Sequence, residues 1–259
     1  MSWWGKLIGG GFGFMLGGPL GALMGMAAGH QFDKGLNAVN LEPGNTERVQ
    51  LAFFTATFSV MGYLAKADGK VSRSEIQMAE NIMAQMNLDS SQRKTAIDLF
   101  NQGKQDDFPL TDILHQFKRE CHRRTNLLQM FLEILIATAY ADNKLDKAEH
   151  HALKDIAQQI GFTSDQLENL INMVGAQQQY SHQSSHTSPK TSLNQAYAVL
   201  GVDSEISDSS LKKTYRRLMS QHHPDKLVAK GLPEEMIKLA NQKTAEIKNA
   251  YDQIKNSRK

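Results

Sequence analysis

Apolar and polar positions divide the chain into four stretches. From Leu7 to Gly29 no side chain is charged, and the run is bounded by Lys6 and by His30, Asp33 and Lys34. After a turn-rich break at Leu41-Glu42-Pro43-Gly44-Asn45, the middle of the chain reads as helices, and residues 46–174 form one all-α unit. Gly175 to Ser192 has almost no apolar content and too little to bury to offset its ordering entropy, so a disordered linker is expected there. Beyond it, residues 193–259 return to helical periodicity. Leu211, Tyr215, Leu218 and His222 form one stripe of a helix from Asp208 to His222. Ile237, Ala240, Thr244, Ile247, Tyr251 and Ile254 form a stripe on a second, from Glu234 to Lys255. The two stripes predict an antiparallel helical hairpin, with Ser207 capping its first helix and Ile206 stapled onto Leu211.

Residues 1–34 have the character of a membrane anchor. At about 1.5 Å per residue, a helix from Leu7 to Gly29 covers a hydrocarbon core of roughly 30 Å. Trp3 and Trp4 stand where interfacial aromatics belong. Gly5, Gly9, Gly13, Gly17, Gly21, Gly25 and Gly29 recur every four residues, which strips side chains from one helix face. Two such faces can approach closely in lipid, so a homodimer through Gly9, Gly13, Gly17, Gly21 and Gly25 is expected, with lipid around it. Pro19 is tolerated in such a helix. The flanking charges are nearly balanced and do not orient it.

The middle unit repeats itself. Ala52 to Ala67 ends at Asp68-Gly69-Lys70, and Leu127 to Ala141 ends at Asp142-Asn143-Lys144. Ala65 matches Ala139, Asp68 matches Asp142, Glu75 matches Glu149, and Ile82 matches Ile156, so two similar hairpins should pack as a bundle. Asp68, Glu75, Asp142 and Glu149 offer hard oxygen donors that a divalent cation takes. Ser72-x-x-Glu75 and Asp146-x-x-Glu149 equally fit capping signatures, with Asp68 and Asp142 serving turns. The spacing is not that of a calcium loop, and capping is the reading favoured: no metal is expected.

The hairpin loop carries His223-Pro224-Asp225-Lys226, beside a cationic face of Lys212, Lys213, Arg216 and Arg217. His-Pro-Asp after Lys-Lys-x-x-Tyr-Arg-Arg-Leu, with Ala196-Tyr197-x-Val199-Leu200-Gly201-Val202 before it and Ile247-Lys248-x-Ala250-Tyr251 after it, resembles the J-domain of DnaJ-type co-chaperones. The stretch Asp68-Gly69-Lys70-Val71-x-x-x-Glu75 resembles the helical TerB domain named for tellurite resistance. Anchor, TerB-like unit and terminal J-domain together resemble membrane-anchored DnaJ-like co-chaperones of Gram-negative bacteria. That resemblance implies a regulator, not an enzyme, with no cofactor. Its partner would be a DnaK-type ATPase, met by His223, Pro224, Asp225 and Lys226 and by the four basic side chains. It further implies an inner-membrane protein with its N-terminus periplasmic, its bulk cytoplasmic, and links to envelope and capsule signalling. One departure is the stretch Leu227–Met236, which is longer than J-domains usually carry after the motif.

Composition changes this picture little. With 29 basic and 27 acidic residues among 259, and no aromatics interleaved with the basic helix, the chain has no overall basic excess and is not a nucleic-acid binder. The lone cysteine, Cys121, excludes an internal disulfide and a cysteine zinc site, including the zinc module of larger DnaJ proteins. Cys121-His122 lacks an acid at a spacing that would orient the histidine, so it is not read as a catalytic pair. The rival expectation, from another class, is a membrane scaffold or an ion or envelope sensor whose TerB-like unit binds and whose J-domain only recruits.

Overall fold

A computed structural model describes residues 17–28, 44–69, 71, 73–86, 88–140, 145–182 and 189–258. These residues form helices without strands. We number them α1 (Gly18–Ala28), α2 (Asn45–Ala65), α3 (Arg73–Gln85), α4 (Ser90–Gly103), α5 (Leu110–Glu120), α6 (Thr125–Ala139), α7 (Lys147–Ile160), α8 (Ser164–His182), α9 (Pro189–Val199), α10 (Asp208–His222), α11 (Pro224–Ala229) and α12 (Ile237–Ser257), with a 3₁₀ turn at Glu234–Met236.

The two apolar runs become the centre of the middle unit, as the repeat predicts. α2 is buried on every side from Val49 to Gly62, so it has no solvent stripe. Such an all-round apolar helix is stable only as the inner member of a bundle. Phe53 and Phe131 flank Phe117, with ring centroids 6.0 and 4.7 Å away, tying α2 and α6 to α5. Polar residues fix where the outer helices start. The Asp89 carboxylate accepts from the backbone N–H groups of Ser91 and Gln92, and the Gln92 side chain accepts in return from the Asp89 N–H. The predicted box at α7 has the same form: Asp146 accepts from Ala148 N–H at 2.7 Å, and Glu149 from Asp146 N–H at 3.0 Å. Its counterpart at Ser72 and Glu75 involves side chains outside those described.

The C-terminal hairpin also forms. Leu211 and Leu218 of α10 bury against Ile247, Ala250 and Ile254 of α12, and Tyr215 stacks on Tyr251 with centroids 4.1 Å apart. Ser207 caps α10 by accepting from Ser210 N–H. α9 closes the small core with Ala196, Tyr197, Val199 and Leu200.

Two expectations change. The helix expected to run unbroken from Leu7 to Gly29 begins at Gly18, because Gly17 and Gly18 take left-handed φ values of +56° and +61°. Its eleven residues are too few to span a bilayer, and among the described residues no helix is long and apolar enough to cross a membrane. Leu20, Leu23, Met24 and Ala27 instead bury in the middle unit's core. The Gln116 side chain caps this helix, accepting from Leu20 N–H and donating to the Gly17 carbonyl. Residues before 17 lie outside those described.

The linker is the second change. α8 runs through Gly175 to His182, and α9 starts at Pro189, so only 183–188 lie outside the described residues. The segment's own apolar content is low. Met173 and Ala176 of α8 bury against α9, so tertiary packing overrides composition. A loosely tethered hairpin domain is replaced by one packed on its neighbour.

Candidate functional site

His223 sits at a junction of two helices: it is the last cap of α10 and the first of α11. Its extended backbone (φ −60°, ψ 124°) turns the chain, and Pro224 takes the first helical position, where a missing N–H costs nothing. The His223 ring nitrogen Nδ1 accepts from Asp225 N–H at 3.2 Å, which fixes the ring against its own loop. The His223 side chain is 47% exposed and the Asp225 side chain 92%. Lys226 reaches back to donate to Ser220 Oγ at 2.6 Å, tying the motif to the last turn of α10. Lys212, Lys213, Arg216 and Arg217 are all exposed along that helix, and Arg217 also donates to Gln221. The expected motif residues are therefore together at one end of the hairpin, presented to solvent. The long stretch after the motif is not open loop but α11, a turn and the 3₁₀ segment.

Behind the motif, side chains from the middle unit meet it. His222 is buried, and its two ring nitrogens face two acceptors. Nδ1 donates to the Leu218 carbonyl at 3.0 Å, and Nε2 lies 2.9 Å from Glu133 Oε1. Glu133 is itself only 6% exposed. It also takes Lys243 Nζ of α12 at 3.0 Å and the Gln129 amide at 2.8 Å. Lys243 donates in addition to Gln177 of α8. Burial alone would raise the Glu133 carboxyl. The charges of His222 and Lys243, with hydrogen bonds from His222 and Gln129, outweigh it and hold the group well below the usual carboxylate range. Asn126, two turns earlier on α6, donates to the Gln221 carbonyl at 3.0 Å. Leu227, Leu232 and Met236 enter the middle unit's core, and Gln92 reaches Glu235 at 3.1 Å.

Three family models match the chain: the co-chaperone DjlA transmembrane domain over residues 1–39, tellurite resistance protein TerB over 54–172, and the DnaJ domain over 195–259. Relatives match across their length. The co-chaperone protein DjlA of Coxiella burnetii is 44% identical over 268 residues, covering 100% of this chain and 99% of its own. Those of Photobacterium profundum and Legionella pneumophila are each 41% identical, covering 97% and 98% of this chain and 98% and 95% of theirs. The chain belongs to the DjlA family of co-chaperones. No solved structure gives a significant match.

In DjlA terms, the middle unit is the TerB domain, the hairpin with α9 is the J-domain, and the N-terminal segment is the membrane anchor. Of the glycines expected to pair in the anchor, Gly9 and Gly13 lie outside the described residues. Gly17 precedes α1, Gly21 is buried and Gly25 half-buried. Of the oxygen donors weighed for a cation, Asp142 and the Glu75 side chain lie outside those described, while Glu149 caps α7. Among the described residues no three His, Cys, Asp or Glu side chains are grouped to hold a metal. Sequence reasoning missed Glu133 and Asn126. The signal was present: Glu133 is the sole charged residue in Thr125–Ala139.

Proposed function

We propose that the chain stimulates ATP hydrolysis by a DnaK-type chaperone, acting from the cytoplasmic face of the inner membrane. The observation that carries this is the exposed His223-Pro224-Asp225 loop at the end of a helix whose four basic side chains all face solvent. The loop performs no chemistry of its own. His223 and Asp225 are short polar groups on a turn held by Pro224, and such groups perturb a partner's surface at a defined place. Lys212, Lys213, Arg216 and Arg217 steer that encounter onto an acidic surface, which makes it fast and salt-sensitive.

The anchor matched over residues 1–39 keeps this activity beside the bilayer. A cytosolic ATPase partner requires the J-domain on the same side, so the short N-terminus faces the periplasm. The every-fourth glycine stripe supports a dimer within the membrane through Gly9 and Gly13, since Gly17, Gly21 and Gly25 belong to a segment packed on the TerB core.

The test is single-turnover ATP hydrolysis by a bacterial DnaK with the full chain in lipid nanodiscs. Wild type accelerates hydrolysis, His223→Gln and Asp225→Asn do not, and helix content is unchanged. Added salt raises the half-saturating concentration. Full activity in either variant overturns the assignment. In a membrane association assay, Gly13→Leu stays in the membrane fraction and loses dimer; a variant that dimerises as wild type does removes the glycine stripe from the reading.

A further inference from the structure

The end of α10 is where the motif begins, and a helix end leaves carbonyls without intrahelical donors. One of them, on Gln221, and the Leu218 carbonyl just before them accept from side chains. The Leu218 carbonyl takes the His222 ring, and the Gln221 carbonyl takes the Asn126 amide from α6 of the TerB domain. The His222 ring is in turn held by Glu133 of the same helix at 2.9 Å. Asn126 and Glu133 are two turns apart, so they share one face of α6. On the far side of the motif, Leu227, Leu232 and Met236 bury in the core cluster that holds α2 and α6. Gly231, at φ +97°, lies so close to α2 that a Cβ there would stand 2.8 Å from Val49. The motif is thus held before and after by another domain, while His223, Asp225 and the basic face take no part in that contact.

We propose that Asn126 and Glu133 of the TerB domain are positioning residues for the J-domain, setting the His223-Pro224-Asp225 loop from behind while leaving its partner face free. The seam is specific because its polar atoms match one to one. A buried carboxylate that takes two donors from across the seam, His222 and Lys243, and a helix-end carbonyl with one donor fit in a single register only. Turning the hairpin on its seat would strand Glu133, an outcome that burial makes costly. This rests on the proposed action on DnaK, and the experiment separates the two.

The variants keep shape and change chemistry. Glu133→Gln removes the charge that holds His222 and Lys243. Asn126→Asp removes the donor to Gln221 and sets a carboxylate against its carbonyl. An acid in the first turn of α6 favours that helix, so this second variant leaves the TerB domain folded. Both are compared with wild type as full chains in nanodiscs, by DnaK hydrolysis and by amide hydrogen exchange. We expect maximal stimulation to fall by about fivefold or more, a typical coupling between sites. The half-saturating concentration shifts less than about twofold, because the steering cations are untouched. Exchange at residues 219–227 accelerates while that of α2 is unchanged. Wild-type stimulation and protection in both variants overturns the positioning role alone. If wild type fails to stimulate DnaK, the functional reading falls. Amide exchange then decides the inference by itself, with unchanged protection in both variants sinking it.

Discussion

Gly62 and Gly103 mark a very close approach of two helix backbones, and Gly62→Ala tests it. α2 and α4 cross so tightly that a Cβ on Gly62 would stand 2.0 Å from the Phe100 carbonyl oxygen and 2.8 Å from its carbon. A Cβ on Gly103 would meet the Ser59 oxygen at 1.8 Å. Both obstacles are backbone, which cannot swing aside as a side-chain tip can. Intrinsic propensity pulls the other way: alanine in a helix interior is better than glycine by about 1 kcal/mol. To relieve the overlap the helices must part by roughly 1 Å, and a gap of that size forfeits a quarter to a half of each pairwise attraction along the seam. That seam includes Phe58, Leu99 and Phe100, all buried. Overpacking of this kind costs about 1–3 kcal/mol for flexible side chains and more for backbone, so the net loss is about 2–4 kcal/mol. Urea unfolding of the full chain followed by far-UV circular dichroism should show the midpoint lowered by about 1–2 M, from a typical slope of 1–3 kcal/mol per molar. A variant as stable as wild type, or more so, would show that propensity decides here and that the crossing relaxes without loss.

Arg258 donates to the Tyr197 hydroxyl, the Ser204 and Ile206 carbonyls and Asp208, closing the J-domain's last helix onto its first loop. Arg258→Ala should cost about 1–3 kcal/mol by thermal unfolding, and Lys should not rescue it, because one ammonium cannot reproduce the fork; wild-type stability in either would refute the clasp. Burial pushes the Cys121 thiol up to about 12. It should therefore resist iodoacetamide at neutral pH in the folded chain and react only on unfolding, as read by mass spectrometry; rapid labelling would contradict its placement. The lowered Glu133 carboxyl contributes stability that is present above its unfolded value, near 4.3, and is lost as pH falls toward the folded one. Glu246, raised chiefly by burial, has the opposite sign: its contribution is present below its unfolded value and lost as pH rises through the folded one. Glu133 is the group in contact with His222, so protection at residues 219–227 should drop as pH falls below about 4, and protection unchanged on that descent would place the linkage elsewhere.

The helices with strong periodicity were legible before any coordinates. The stripe Leu211, Tyr215 and Leu218 meets Ile247, Tyr251 and Ile254 as spacing requires, and Asp146 with Glu149 forms the cap its pattern announces. The motif was legible as a contiguous turn, and His223, Pro224, Asp225 and Lys226 do lie together at one end of the hairpin. What failed to read from sequence depends on contacts far along the chain. His222 belongs to the hairpin stripe by spacing, yet it turns away from that core to a carboxylate on α6. Gln177 sits in a tract of glutamines, yet it is 5% exposed because α8 is covered by the J-domain. Gly62 carries no local sign that another backbone lies against it. Each is a case where the partner, not the neighbourhood in sequence, decides the environment.

Charge shows the same division within one domain. The net value of +2 says nothing of where the cations are used. Lys212, Lys213, Arg216 and Arg217 stand exposed on α10, where water and salt weaken each interaction but leave a field that a distant acidic surface can feel. Lys243, with its side chain 13% exposed, and His222, with 3%, point inward at Glu133. An apolar surface of like volume would hold the two domains together at least as well, since desolvating Glu133 and Lys243 offsets much of their attraction. It would not choose a register. Leucine and methionine side chains such as Leu227, Leu232 and Met236 tolerate sliding, whereas a buried carboxylate is satisfied at one seat. The inward charges are therefore worth more for the direction in which the motif points than for the strength with which the domains adhere.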